Sequence, residues 1–309
     1  MNEMQSLFKP AHRQKAKLRM ALAGVSGGGK TLGALYIAYG ITGDWSRVAL
    51  IDTERERARL YAERSDLPYP TGSFLHATLD PPYSVERYKM YVQAAAQAVG
   101  PQGVVIIDSL SPAWNNEGGV LDYKEQVAAQ RGKNSYTAWN EAGQLQNSLV
   151  NTILSVPCHT IATLRVKTEY ALETNDRGKQ QPVKLGLAPV QRDDMEYEFD
   201  IVLNIGRDHT ATASKDVTFL DQFGQVITPE LGERLIGWLD QGQDPPKRYY
   251  CEDCGQRIMD SPKATAERRA QVTKEEFGRQ LCEHCTRIAY ARRKREEAER
   301  NDSGEPAQN

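Results

Sequence analysis

Long apolar runs are missing from this 309-residue chain: none approaches the roughly 20 residues that a membrane helix needs. The N-terminal stretch MNEMQSLFKPAHRQKAK is polar and basic where a secretory leader would carry an apolar core, so a cytoplasmic protein without a membrane partner is expected. An excess of one charge is missing too. The 39 lysines and arginines against 41 aspartates and glutamates leave a formal charge of −2, so no global basic field draws nucleic acid. Any such binding has to come from local patches. Cysteine is scarce, at five residues: four form two CxxC pairs near the C-terminus, and Cys158 stands alone in an apolar run as a core hydrophobe. That usage fits a reducing compartment rather than a disulfide framework.

What is present centres on residues 18–38, LRMALAGVSGGGKTLGALYIA. An apolar strand-like run enters a glycine-rich turn in which Gly24, Gly29, Lys30 and Thr31 fit GxxxxGK[ST], and a helix-forming run follows. Glycines let successive backbone N–H groups approach phosphate oxygens where a Cβ would obstruct them. The helix adds its positive dipole end. Strand, loop and helix in that order exclude an ordinary flexible turn, and the expected nucleotide contacts are Gly24, Val25, Ser26, Gly27, Gly28, Gly29, Lys30, Thr31 and Leu32. Lys30 is suited to the β- and γ-phosphates and the Thr31 hydroxyl to Mg²⁺, which makes ATP with Mg²⁺ the expected ligand.

Two further strands end in acid. RVALID (residues 47–52) is followed by Thr53 and Glu54, and VVIID (residues 104–108) ends in Asp108 with Ser109 next. Both runs are too apolar to have one face in water, as in central parallel strands, whose C-terminal edges are where ligands bind. Glu54 is placed to polarise the water that attacks the γ-phosphate; its alternative is a solvated charge opening a polar helix over residues 55–64. Asp108 is placed to hold Mg²⁺, directly or through water, and Ser109 to pass hydrogen bonds from the metal site to the next strand. Helices are expected over residues 84–99, 120–130, 137–154 and 229–239.

After the strand HTIATL (residues 159–164), Arg165, Lys167, Tyr170, Arg177, Lys179 and Lys184 interleave with glycine and polar residues. A basic loop with an aromatic tracks a phosphodiester backbone and stacks a base; a solvated surface hairpin fits the composition as well. Gln241 to Lys247, QGQDPPK, reads as a linker. Beyond it Cys251-x-x-Cys254 and Cys282-x-x-Cys285 supply four thiolates at the spacing of a structural zinc site. A segment so small and charged has too few apolar residues to fold alone, so the metal supplies its folding energy. The expected organisation is an N-terminal arm (1–16), an α/β core with a mainly parallel sheet (17–241), a linker (242–248), a zinc-binding module with a charged helix (249–300) and a disordered tail (301–309).

No NKxD-type guanine reader is present, and Val25-Ser26 stands where partition-type ATPases carry an extra lysine. The arrangement Asp52-Thr53-Glu54, Asp108-Ser109 and a following basic loop resembles the RecA-like recombinase core. More closely, LAGVSGGGKT, TLRVKTEY, PVQRDDMEYEFDIVL and DHTATASKD resemble phage-encoded RecA-like ATPases of single-strand annealing recombination, over about residues 17–240. The resemblance implies a RecA-like P-loop fold, Glu54 as the catalytic glutamate, Lys30 and Thr31 as phosphate and magnesium contacts, and Asp108 as the carboxylate that supports the magnesium from behind its own ligands. It also implies that Lys215 acts on a neighbouring subunit's γ-phosphate in a ring or filament; an ordinary exposed strand-end lysine is the alternative. Two departures stand out: the recombinase glutamine before the basic loop has no counterpart, Thr163 or Arg165 being nearest, and the large C-terminal DNA-gathering domain is missing. The function implied is a DNA-stimulated, Mg²⁺-dependent ATPase on single-stranded DNA, promoting annealing or strand exchange in the host cytoplasm, with a single-strand binding or other replication protein as a further partner. A ring-shaped helicase or helicase loader and a nucleotide-gated adaptor are the rivals.

Overall fold

The computed structural model describes residues 10–174, 180–245, 247–254 and 256–302. Residues 1–9 of the expected arm, Arg177 and Lys179 of the basic segment, and tail residues 303–309 lie outside the described residues. The chain divides into two compact units, Met1–Gly242 and Gln243–Asn309.

The first unit is built on strands β1 (Arg19–Gly24), β2 (Val48–Asp52), β3 (Leu75–Thr78), β4 (Val104–Asp108), β5 (His159–Thr174), β6 (Gln180–Pro189), β7 (Ile201–Ile205), β8 (Thr210–Lys215) and β9 (Gly224–Val226). They join in the order β3-β2-β4-β5-β1-β7-β8-β9, with β6 paired to β5. The six strands from β3 to β7 run parallel, and β8 and β9 add an antiparallel edge. Every residue of β1, β2 and β4 is buried, as their unbroken apolar runs require of strands covered on both faces.

Side chains alternate between two cores. Ala21, Ile51, Val105 and Ile107 face helices α2 (Val85–Val99) and α5 (Ser135–Ser155) through Tyr88, Val92, Leu149 and Ile153. Met20, Leu22, Leu50 and Ile106 face α1 (Lys30–Thr42) and α6 (Pro229–Leu239) through Leu35, Ile37 and Leu235. This period-two division produces a three-layer α/β/α sandwich. Where α1 meets α6, Gly40 lies against Gly232 so closely that a Cβ on Gly40 would overlap the Pro229 carbonyl oxygen.

Three local expectations change. The polar helix over residues 55–64 is only a short 3₁₀ turn, Arg57–Tyr61. Buried Asp52 captures the chain here, accepting from Glu54 N at 2.5 Å and Ala58 N at 3.0 Å, and Arg55 and Glu56 take left-handed φ values of 58° and 62°. The basic stretch after residue 164 takes the hairpin form of its two readings rather than the loop: β5 continues to Thr174 and pairs antiparallel with β6. Finally, α5 begins at Ser135, two residues early, because Asn134 and Thr137 form a reciprocal capping box. Between β4 and α5 the chain makes α3 (Pro112–Asn115) and α4 (Val120–Ala128).

The second unit holds β10 (Tyr249–Tyr250), β11 (Arg257–Ile258), α7 (Ala266–Phe277) and α8 (Glu283–Asp302). The Thr265 hydroxyl caps α7 at its start and left-handed Gly278 ends it.

Candidate active site

Parallel pairing brings the functional strand ends to one edge of the sheet. Gly24 is level with Arg165 on one side and Ile205 on the other, while Asp52 is level with Asp108. Between β1 and α1, residues 25–29 form an open turn with Gly27 at φ 78° and Gly29 at φ 92°, and no side chain caps the α1 N-terminus. That leaves N–H groups for a ligand. A Cβ on Gly24 would lie 2.6 Å from the Ile205 carbonyl, so the close seating of the turn on β7 demands glycine. The Lys30 ammonium donates to the Gly24 and Val25 carbonyls, both at 2.9 Å. Burial lowers its pKa from the ordinary value, while Asp108 and Glu54 pull it back up.

Thr31 Oγ1 donates to Asp108 Oδ2 at 2.6 Å, and Thr163 Oγ1 donates to Asp108 Oδ1 at 2.5 Å. Asp108 is only 3% exposed, and burial raises its pKa above the usual carboxylate range; the two hydroxyls restrain that rise, and the charges of Glu54 and Asp52 add to it. A buried carboxylate joined to the Thr31 hydroxyl at the foot of the cradle offers the hard oxygen donors that Mg²⁺ takes beside a nucleotide's phosphates, so the pair fits Mg²⁺. Ser109 does not carry the link to the next strand. Its buried hydroxyl finds no partner, and Thr163 of β5 makes that bond because β5 lies directly beside β4.

Glu54 follows Asp52 off the end of β2, with its backbone fixed by the Asp52 carboxylate and its side chain ion-paired to Arg165, Oε1 to Nη2, at 3.0 Å. Asp52 itself is committed: beyond its two backbone donors it lies 3.2 Å from His76 Nε2. Lys30, Thr31, Glu54, Asp108, Arg165 and the turn glycines line a cavity of about 1030 Å³ that also includes Tyr36, Leu60, Tyr61, Pro68, Tyr69, His209 and Ile227. Its lining joins the phosphate cradle and its acids to an aromatic and aliphatic wall, with Tyr36 edge-on to Tyr69, that can take a flat base. The wall escapes sequence reasoning. So does His209, a turn residue at φ 67° whose Nδ1 lies 3.1 Å from the Gly28 carbonyl oxygen.

Not every sequence candidate gathers here. Arg165 faces the cavity, whereas Lys167 is exposed on the hairpin, level with Ala188, and Tyr170 is farther along, its backbone level with Lys184. Lys215 sits level with Val202, toward the start of β7 and away from the cradle, and donates to the Tyr197 carbonyl at 2.7 Å.

In the second unit the sulfurs of Cys251, Cys254, Cys282 and Cys285 lie within 4.8 Å of one another, with Cys254 and Cys282 at 3.6 Å. A tetrahedron with Zn–S bonds of about 2.3 Å has sulfurs about 3.8 Å apart, so the set fits zinc. Burial opposes ionisation of Cys251, yet backbone N–H donors at Cys282, Cys254 and Asp253 bring its thiol down to about 6. Among the described residues, no helix is long and apolar enough to cross a membrane.

Comparison with known proteins agrees with this site. No curated protein matches the sequence. A family model described as "AAA domain" matches residues 16–236. Since that segment is well over half of the chain and contains every residue of the cavity, the chain belongs to the AAA-domain family of nucleotide-binding P-loop ATPases.

Proposed function

We propose that this protein is a Mg²⁺-dependent ATPase that binds single-stranded DNA and promotes annealing or strand exchange in phage recombination. The observation that carries the chemistry is the chain from Thr31 through Asp108 to Thr163 at the foot of the cradle, with Glu54 one strand further along the same edge. Bound Mg²⁺ would draw charge off the phosphate oxygens. Thr31 and Asp108 would hold it, Asp108 directly or through water, while Lys30 leaves the loop carbonyls for the phosphates and Glu54 orients the attacking water and accepts its proton. The Gly-turn N–H groups stabilise charge that develops during transfer.

DNA contact is proposed for Lys167 and Tyr170 of the β5–β6 hairpin, because it leaves the strand adjacent to the cradle, and for Arg177 and Lys179, which lie outside the described residues. Lys215 points to no residue of its own cavity, which suits a role at a neighbour's γ-phosphate in a ring or filament. The zinc module adds DNA or protein contacts, with a single-strand binding or other replication protein as partner. The test is the ATPase rate with and without single-stranded DNA. Lys30→Ala should abolish turnover and Glu54→Gln should bind ATP without hydrolysing it. Normal hydrolysis by Glu54→Gln overturns the mechanism. Unwinding of a tailed duplex indicates a helicase instead, and negligible DNA-stimulated turnover with a stable protein partner indicates an adaptor.

A further inference from the structure

One buried pair takes no part in that scheme. His76 stands on β3 level with Leu50 of β2, so it shares a sheet face with Asp52, two residues further along that strand. Both side chains are nearly shut off from water, at 9% and 0% exposure, and His76 Nε2 lies 3.2 Å from Asp52 Oδ2. Arg59 fixes which ring nitrogen carries the proton. Its Nε–H donates to His76 Nδ1 at 3.2 Å, and a guanidinium only donates, so Nδ1 accepts and Nε2 presents its hydrogen to the carboxylate.

The carboxylate held in this way shapes the chain around Glu54. Asp52 Oδ1 accepts the Glu54 N–H and Oδ2 that of Ala58, and between them Arg55 and Glu56 keep left-handed φ values of 58° and 62°. Residues with a Cβ stay in that region only where their surroundings impose it. Held by those two donors alone, the Asp52 carboxylate would rock about its Cβ–Cγ bond and carry the turn with it. His76 adds a third donor from a different strand and removes that freedom. The gain bears on rate, because a misplacement of about 1 Å at a reacting group costs on the order of a hundredfold. We infer that His76 is a positioning residue for hydrolysis: by fixing the Asp52 carboxylate it fixes the turn from which Glu54 reaches the attacking water. The inference rests on the role proposed for Glu54.

ATPase rates and equilibrium binding of a non-hydrolysable ATP analogue, both with Mg²⁺, test it on the full-length protein. His76→Phe fills the site without a donor. It should lower kcat about tenfold or more and leave affinity for the analogue within about twofold, because His76 stands outside the cavity lining. Retained affinity doubles as the control for folding. Two amide variants separate the donor from mere bulk. His76→Gln puts its NH₂ where Nε2 stands and should keep about a third or more of the rate, whereas His76→Asn is one bond shorter, puts it where Nδ1 stands, and should fall with His76→Phe. That contrast decides the matter if the His76→Phe variant does not fold. Normal kcat in the His76→Phe and His76→Asn variants, equal losses in His76→Gln and His76→Asn, or analogue affinity that falls in step with rate overturns the inference and leaves the ATPase reading standing. If Glu54→Gln hydrolyses ATP at the normal rate, the role of Glu54 fails and the inference with it.

Discussion

The two units of this chain hold themselves together in opposite ways. In Met1–Gly242 a sheet buried on both faces separates two cores of aliphatic and aromatic side chains, and the charged groups at its edge are mounted on a scaffold that owes them nothing. Among the described residues of Gln243–Asn309 the buried apolar set is Cys251, Ile258, Ala270, Leu281, Cys282 and Cys285, so half of it is sulfur from the cluster that fits zinc. A unit this small buries too little surface to balance its chain entropy. One unit is a scaffold that stands apart from its charged edge; the other has four thiols gathered where a metal would close its core.

Metal removal should divide the two most sharply. All four tryptophans, at 45, 114, 139 and 238, belong to the first unit, so their fluorescence reports that unit alone. A strong chelator, or Cys282→Ser, should expose α7 to rapid trypsin cleavage and abolish the thiolate absorption band of a cobalt-substituted sample. The loss is on the order of 10 kcal/mol of metal-linked folding energy. Tryptophan emission and its melting point should hold. Protection of α7 that survives chelation shows that the small unit stands without metal, and the contrast collapses.

The second prediction moves the damage to the other unit. Gly40→Ala adds a methyl where α1 meets the Pro229 carbonyl and Gly232, leaving no rotamer that avoids the backbone. A destabilisation of about 1–3 kcal/mol is expected from such overpacking, read as a lower tryptophan-detected melting point. The cobalt–thiolate band should stay in place. Loss of both signals together means that the units fold as one, contrary to the comparison.

These differences track what could be read beforehand. The cradle was legible down to single residues because its chemistry is local: a glycine turn at fixed spacing between strand and helix has few other uses. The four cysteines were legible for the same reason. Asp108 and Glu54 followed from apolar runs that end in acid. What escaped is what the tertiary fold assembles. Tyr36, Tyr61 and Tyr69 come from α1, a 3₁₀ turn and an irregular segment, and no period links them into a wall. Composition showed that the stretch from Arg165 was basic but not that its first cation turns inward. Only the level of Gly24 with Arg165 fixes that, and it depends on which strand lies beside β1. The polar helix after Glu54 failed because propensity gave no sign that the Asp52 carboxylate would take two of its backbone donors.

The smallest effect sharpens the claim that the first unit's scaffold does not need its charges. Burial raises the Asp108 pKa in the folded chain. A carboxyl that is harder to ionise folded than unfolded withdraws stability as pH climbs from its unfolded value to its folded one, and above the folded value the whole penalty is in force. Asp108→Asn removes that penalty and keeps an acceptor for Thr31 or Thr163. Without nucleotide or metal the variant should therefore melt higher at neutral pH, by about 2–4 °C for each kcal/mol recovered, with the advantage fading toward pH 4 as the native carboxyl protonates. Its Mg²⁺-dependent gain in nucleotide affinity should vanish. A variant that melts lower at neutral pH means that the ionised carboxylate, through its two hydroxyl donors, helps to hold β4 against α1 and β5, and that this unit too is stabilised by the groups it uses to bind.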